Sequence, residues 1–304
     1  MGLKIFLFGF LAVCLCSEAA FAWGPATHIG LSGAALGQLA LLPGAIAAIL
    51  GRNALSYLYG SIAADVVFAK RWSRVKQFCH HWSTGFRLLE TAEDERAQAF
   101  AYGYLSHLAA DTVAHGKYIP HQIATCRSTQ NFGHFYWELR ADSAQPEPTW
   151  LRLQEVLDTD HKHHHCEMRQ HITDTLLSYP MNRVLFDGMN ALAVRQSFRR
   201  TMDTWSRLSR WPLRPDLLRG YEGESVDRIL SVLAEGHRSP VLREDPNGTA
   251  ALMNLSVRRA EERRRRRRGV ALKRRLREAS HEFAPRRIPV MMDDATREDA
   301  APAE

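Results

Sequence analysis

Residues 104–115 read Tyr-Leu-Ser-His-Leu-Ala-Ala-Asp-Thr-Val-Ala-His. It places His107, Asp111 and His115 at steps of four among mostly apolar neighbours. Residues four apart lie on one face of a helix, about one turn from each other. Burying two imidazoles and a carboxylate without partners is costly, and a bound metal ion removes that cost. The stretch therefore predicts a buried helix that carries metal ligands.

A second pair of residues repeats the four-residue step farther along the chain. His134 and Glu138 would lie side by side on another helix. Imidazole and carboxylate groups are suitable zinc ligands, although an isolated pair of this kind is common and means little. The combination of five histidines, three carboxylates and one tryptophan indicates a metal site more strongly than any single pair. These candidates are Trp23, His28, Asp65, His80, His107, Asp111, His115, His134 and Glu138.

The rest of the chain also has helical periodicity. Apolar residues recur at three- and four-residue steps in 97–114, 181–205 and 226–233, and no alternating run with a hairpin turn is present. Glycine and proline clusters, including 116–120 and 212–215, predict breaks between helices. The apolar segment 34–50 contains Gly37, Gln38 and Pro43, so we interpret it as buried core helices rather than a membrane span. These patterns predict a single all-α domain.

The first 22 residues are typical of a signal peptide. One early cation, Lys4, precedes an apolar run at 5–16 and a small-residue cleavage site that ends at Ala22. The run is short for an uncut membrane anchor. We expect export to the periplasm or beyond, with Trp23 as the first residue of the mature chain.

The basic charge is concentrated at the end of the chain. Fifteen Lys and Arg against nine Asp and Glu follow residue 247, which places +6 of the net charge of +7 there. We therefore predict a domain at 23–245 and a basic extension at 246–304, helical over 249–280 and disordered over 285–304. The arginine run at 263–268 is suited to an anionic membrane surface or, less so, nucleic acid. A solvated helix face, or a tail that contacts an acidic partner, fits it equally well.

Two further groups of residues have plainer interpretations. Cys79, Cys126 and Cys166 remain after cleavage, an odd number that excludes a full disulfide framework. The run His-Lys-His-His-His at 161–165 lies beside acidic residues, and we expect a solvated loop there.

Four features together resemble the zinc-dependent phospholipase C family, which includes the fungal single-strand-specific nucleases. The first is Trp-Gly-Pro-Ala-Thr-His at 23–28, and the second is Tyr-Gly-Ser-Ile-Ala-Ala-Asp at 59–65, followed by Cys-His-His-Trp at 79–82. The third is the stretch 104–115, and the fourth is His-Phe-Tyr-Trp-Glu at 134–138. The resemblance implies an all-helical cleft that holds up to three zinc ions.

By position, the resemblance implies three sets of zinc ligands. One set is Asp65, His80, His107 and Asp111; a second is His115, His134 and Glu138; a third is the amine and carbonyl of Trp23 with His28, toward which Asp111 would bridge. A free α-amine has a pKa of about 7.7–8.0, so zinc can displace its proton after cleavage.

Two points of that assignment stay open. His81 is an alternative to His80, which is preferred for its fifteen-residue distance from Asp65. The step from Asp111 to His115 is shorter than in the best-known members of the family, which predicts a compressed loop.

The implied activity is zinc-dependent hydrolysis of a phosphodiester, most simply of a phospholipid head group. Asp65 would orient or deprotonate the attacking water. One alternative is a nuclease or nucleotidase with the same metal site, in which aromatic residues stack bases; the candidates for stacking are Phe132, Phe135, Tyr136 and Trp137. Another is a zinc-binding protein of the membrane surface without turnover.

Overall fold

The computed structural model of the protein describes residues 23–67, 78–126, 130–171 and 177–267. Within those ranges the chain is helical and has no β-strand, which confirms the all-α prediction. No helix in these ranges is long and apolar enough to cross a bilayer. The predicted signal peptide and residues 268–304 lie outside the described residues.

The α-helices of the described ranges follow one another along the chain. They are α1 Pro25–Leu36, α2 Gly44–Arg52, α3 Ala54–Ala63, α4 Trp82–Glu90, α5 Glu95–Val113, α6 Ile119–Cys126, α7 Gln130–Ser143, α8 Glu147–Asp158, α9 Lys162–His171, α10 Tyr179–Ala193, α11 Gln196–Leu208, α12 Pro215–Glu235 and α13 Thr249–Arg267. Single turns of 3-10 helix occupy Leu39–Leu41, Ala64–Val66, Phe78–His80, Gly236–Arg238 and Pro240–Arg243, and a π-helix occupies Ala114–Tyr118.

Helix α5 is the centre of the fold. It begins after Asp94, whose carboxylate accepts a hydrogen bond from the backbone N–H of Ala97 at 2.7 Å. Every residue from 103 to 115 is buried. A helix that is buried on all sides lies inside the core, so its polar residues must find partners there.

Helices α3 and α5 touch through two glycines. A Cβ at Gly103 would lie 1.9 Å from the carbonyl oxygen of Tyr57 and 2.9 Å from the Cα of Gly60, so only glycine fits. This close approach brings the carbonyl oxygen of Ser61 to 2.9 Å from Nδ1 of His107. The backbone of α3 therefore orients a candidate metal ligand on α5.

The chain has neither the compressed loop predicted between Asp111 and His115 nor the helix break predicted at 116–120. Helix α5 passes directly into the π-helix at Ala114–Tyr118, and α6 then begins at Ile119 with Pro120 in its first turn. A π-helix has about one residue more per turn than an α-helix, so the chain stays helical through His115. Pro120 is tolerated because it lies at the start of α6, where its missing N–H needs no partner. His115 is therefore carried by continuous helix.

The run at 161–165 is part of the core, not a solvated loop. His161 precedes α9, and His161, His164 and His165 are buried. His165 bonds through its two ring nitrogens with the hydroxyls of Tyr59 at 2.9 Å and Tyr179 at 2.8 Å. Hydroxyl groups on α3 and α10 thus supply hydrogen-bond partners to a buried histidine whose neighbours in the sequence are mostly polar.

The apolar segment 34–50 is helical as expected but is less buried than predicted. Leu42 and Leu50 lie in the core, whereas the Leu41 side chain is 65% exposed. Ile46 and Ile49 are partly buried against the core.

Helix α13 begins against the body of the protein. Leu255 is buried, and Arg259 donates a hydrogen bond to the carbonyl oxygen of Ile123 at 2.6 Å. The boundary between a domain at 23–245 and an extension at 246–304 stays a prediction.

Candidate metal centre

Asp111 lies at the centre of a buried cluster of histidines. Its Oδ2 is 3.2 Å from Nε2 of His107 and 3.3 Å from Nε2 of His80, and its Oδ1 is 3.4 Å from Nε2 of His28. The side chains of all four residues are at most 1% exposed. One carboxylate therefore meets imidazoles from three separate segments of the chain.

Asp65 completes one side of this cluster. Its Oδ1 lies 3.4 Å from Nε2 of His80, and its Oδ2 lies 4.0 Å from Nε2 of His107. The structure also separates the two adjacent histidines: His80 is buried with its ring in the cluster, whereas His81 is exposed and precedes the first turn of α4. Only His80 therefore points toward the other candidate ligands.

Among the described residues, two sets of three ligand atoms are close enough to surround a cation. One atom each from His28, His107 and Asp111 lies within 4.8 Å of the others, and the same holds for Asp65, His80 and His107. His107 belongs to both sets, and its ring stacks on that of His28 with centroids 4.0 Å apart.

His115 connects this cluster to the pair on α7. Its Nε2 is 3.8 Å from Oδ2 of Asp111, and its ring centroid is 4.8 Å from that of His134. His134 Nε2 lies 3.0 Å from Oε1 of Glu138, as the four-residue step on one helix predicts. The fully buried Trp23 stacks on Tyr118, the last residue of the π-helix, with ring centroids 4.5 Å apart.

The electrostatics of the cluster favour a negative Asp111 carboxylate and a neutral His28 ring. Burial alone would raise the pKa of Asp111, but the neighbouring His107, with His28 and His80, holds that pKa well below its usual range. Burial, and after it the neighbouring His107, lowers the pKa of His28. Ionised carboxylates and neutral imidazoles are the forms that bind metals.

The residues present fit a divalent cation. Both ring nitrogens of His28 and both carboxylate oxygens of Asp111 are buried without a hydrogen-bond partner. The nearby ring nitrogens lie 3.2–3.8 Å from the carboxylate, outside hydrogen-bond geometry. Buried polar atoms left in this state are costly, and nitrogen and oxygen donors of this kind suit zinc.

A cavity of about 110 Å³ opens beside the cluster. His28, Asp65 and Glu138 supply part of its polar lining. The apolar lining comes mainly from α7, α10 and α11: Phe135, Leu139, Phe186, Met189, Leu192 and Phe198. We call these six residues the apolar wall. The sequence singled out only Phe135 of this wall, as a candidate for stacking, because the wall residues after 140 carry no motif of their own.

A family model described as zinc-dependent phospholipase C matches residues 27–183, just over half of the chain. The chain belongs to this family. No curated protein and no solved structure shows a significant match to it. Membership in the zinc-dependent phospholipase C family assigns the chain zinc-dependent hydrolysis of the phospholipase type, and the buried His and Asp groups are compatible with zinc.

The family match ends before several residues that shape the site. The apolar wall on α10 and α11 continues past residue 183, and so does a turn at 244–248 that contacts the cluster. A Pro-Asn-Gly sequence at 246–248 was visible in the sequence, but it indicates only a turn and not where that turn packs.

Proposed function

We propose that this protein cleaves the phosphodiester bond of phospholipids and releases a phosphorylated head group. The supporting observation is the cavity in which His28, Asp65 and Glu138 share one space with the apolar wall. A phospholipid offers a charged phosphodiester next to hydrocarbon, and this cavity offers metal-ligating groups next to apolar side chains.

We further propose that two or three zinc ions bind here. Asp65, His80, His107 and Asp111 would hold one ion; His115, His134 and Glu138 a second; and His28 with the amine and carbonyl of Trp23 a third. When bound, zinc supplies Lewis-acid polarisation of the phosphoryl group and lowers the pKa of water.

The chain's own groups would prepare the ligands and move the proton. His107 Nδ1 lies 2.9 Å from the Ser61 carbonyl oxygen, so it carries the proton and donates it there. Nε2, which lies 3.2 Å from Nε2 of His80, then presents its lone pair to the centre of the cluster. Asp65 borders the cavity and is 6% exposed, which lets it orient an incoming water and accept its proton.

The structure gives less support to the nuclease alternative. Of the aromatic residues at 132–137, Phe135 lines the cavity, whereas Tyr136 and Trp137 are buried in the core. Tyr136 accepts a hydrogen bond from Arg140, and Trp137 donates one to Sγ of Cys126. These two rings therefore cannot stack on bases without leaving their partners.

A substrate panel with wall variants tests the proposal. Zinc-loaded protein should cleave phosphatidylcholine and leave single-stranded DNA intact. Met189→Gln should lower kcat/KM for long-chain lipid about tenfold or more, since a polar amide would then face hydrocarbon. The matched control is Val184→Gln on the same helix, where the side chain is 66% exposed.

The outcomes separate the three candidate functions. Cleavage of DNA without cleavage of lipid would move the assignment to a nuclease. Full zinc occupancy without either activity would favour a zinc-binding protein. Equal losses of kcat/KM in the Met189→Gln and Val184→Gln variants would show that the apolar wall does not bind the lipid.

We also propose export and cleavage before Trp23. The sequence supports this position through the apolar run at 5–16 and the small-residue cleavage site that ends at Ala22. The mature amine would then be available as a zinc ligand. Intact mass of secreted protein tests the cleavage site, and one added alanine before Trp23 should cost one zinc per chain.

A further inference from the structure

The turn at 244–248 joins the end of the 3-10 helix Pro240–Arg243 to α13, outside the region that the family model matches. We propose that this turn positions His80 and His115, so that the protein's affinity for zinc depends on Asn247 and Gly248. The inference rests on the proposed role of His80 and His115 as ligands. It concerns residues that contact the backbone of the ligands and not the metal.

The first contact is with the segment that carries His80. The side-chain amide of Asn247 donates a hydrogen bond to the carbonyl oxygen of His80 at 3.2 Å. Nε1 of Trp82 donates to the carbonyl oxygen of Glu244 at 3.0 Å. The segment at 80–82 is thereby joined to the turn by one hydrogen bond in each direction.

These bonds matter because the structure around His80 is short. His80 ends a single 3-10 turn, Phe78–His80, and single turns of this kind are held mainly by their surroundings. Tyr104 on α5 donates a hydrogen bond to the carbonyl oxygen of Cys79. Asn247 is 6% exposed, so its hydrogen bond to His80 is shielded from water.

The second contact is with the backbone of His115. Gly248 has φ +58°, a left-handed conformation that favours glycine. A Cβ at this position would lie 2.4 Å from the carbonyl oxygen of His115 and 2.6 Å from its Cβ. The turn therefore packs directly on the π-helix that presents His115 to Asp111 and His134.

The turn is itself well anchored. Oδ1 of Asp245 accepts hydrogen bonds from the backbone and side-chain nitrogens of Asn247 at 2.9 and 3.1 Å. Arg228 on α12 pairs with Glu244 and donates a hydrogen bond at 2.9 Å to Oγ1 of Thr112, the neighbour of Asp111. The turn can therefore fix two ligand segments relative to α5.

The contacts of the turn should affect zinc affinity, because a metal site requires its ligands in fixed positions. Ligands must be held within about 0.5 Å of the binding geometry, and loss of groups that orient them typically costs 10–100-fold in metal affinity. The turn contacts the backbone of His80 and of His115, on two sides of the cluster. Loss of these contacts should therefore weaken zinc binding before it changes the fold.

The test measures zinc affinity of the mature protein by competition with a chromophoric chelator. Asn247→Asp keeps the shape, removes the amide donor to His80 and to Asp245, and places a second carboxylate beside Asp245. We expect at least tenfold weaker binding, a changed visible spectrum of the cobalt-substituted protein and unchanged helix content. Gly248→Ala should behave alike or fail to fold. The control is Met253→Ala on α13, where the side chain is 62% exposed.

The same measurement on His80→Ala separates the proposed role of His80 as a ligand from the proposed role of the turn in positioning it. If that variant loses zinc but Asn247→Asp binds as tightly as the parent protein, the turn does not position the ligands and the inference is overturned, while the proposed site stands. If His80→Ala keeps full zinc, both the ligand assignment and the inference fail. Neither result depends on which substrate is cleaved.

Discussion

Asp142 on α7 caps the helix that carries His28 through its contact with Thr27. Its Oδ1 accepts hydrogen bonds from Oγ1 of Thr27 at 2.7 Å and from the backbone N–H of Thr27 at 2.9 Å, although 115 residues separate the two. Oδ2 accepts a third from Ala26 N–H at 3.3 Å. The local cap position is Gly24, which has no side chain to do this.

Replacement of Asp142 by alanine should destabilise the protein by roughly 1–2 kcal/mol, because the first N–H groups of α1 lose their acceptor. Asp142→Asn keeps an acceptor and should cost less. Urea unfolding at pH 5 measures both. Equal stability of the alanine variant and the parent protein would contradict a capping role.

The Asp142 carboxyl also predicts a dependence on pH. Burial raises its pKa to about 6, above the usual value of 3.8. The stabilising contribution of the protonated group is therefore complete below pH 3.8 and is lost as the pH rises through about 6. Between pH 4 and pH 7 the parent protein should lose up to about 3 kcal/mol relative to Asp142→Asn. Parallel stability curves for the two proteins would refute this.

Metal analysis should find two or three zinc ions in mature protein that begins at Trp23. His107→Ala and His134→Ala should each lose zinc and unfold at lower temperature, since bound metal stabilises the fold. His81→Ala is the matched control, because it removes an exposed histidine next to His80. Less than one zinc per folded chain would exclude a multi-zinc site.

The histidines before and within α9 should make the fold sensitive to acid. Burial lowers the pKa of His161 and of His165 to about 4, below the usual 6.5. Their contribution to stability is therefore present above pH 6.5 and is lost as the pH falls through about 4.

His161→Phe tests this group directly. It removes the hydrogen bond to the carbonyl oxygen of Val156 and should cost about 1 kcal/mol at pH 7. Because phenylalanine has no proton to take up, the deficit should shrink or reverse at pH 5. The control is His163→Phe on α9, whose side chain is 49% exposed. A deficit that is constant with pH would show that His161 does not titrate in this range.

The arginines at 263–268 should attach the protein to anionic membranes. Substitution of all six by glutamine should weaken co-sedimentation with phosphatidylserine vesicles at 0.1 M salt, by about 1 kcal/mol for each arginine near the surface. Raising the salt to about 1 M should abolish the difference, since the screening length falls to about 3 Å. Zinc content serves as the control, and equal sedimentation at low salt would exclude a tether.

Part of this protein could be read from its sequence because the relevant constraints are local. Helix geometry alone places His107 beside Asp111 and His134 beside Glu138, and both pairs lie together in the structure. The same periodicity predicted the all-α class. These inferences need only the spacing of residues along one helix, so they do not depend on how the helices pack.

Other features depend on contacts between segments that are distant in the chain, and these contacts form only when the helices pack. Packing turns His80 inward and leaves His81 exposed, and it buries the polar run at 161–165 against partners on α3 and α10. Asn247 reaches His80 across 167 residues. No spacing rule encodes these contacts, because each depends on how whole helices pack and on which buried polar groups then find partners.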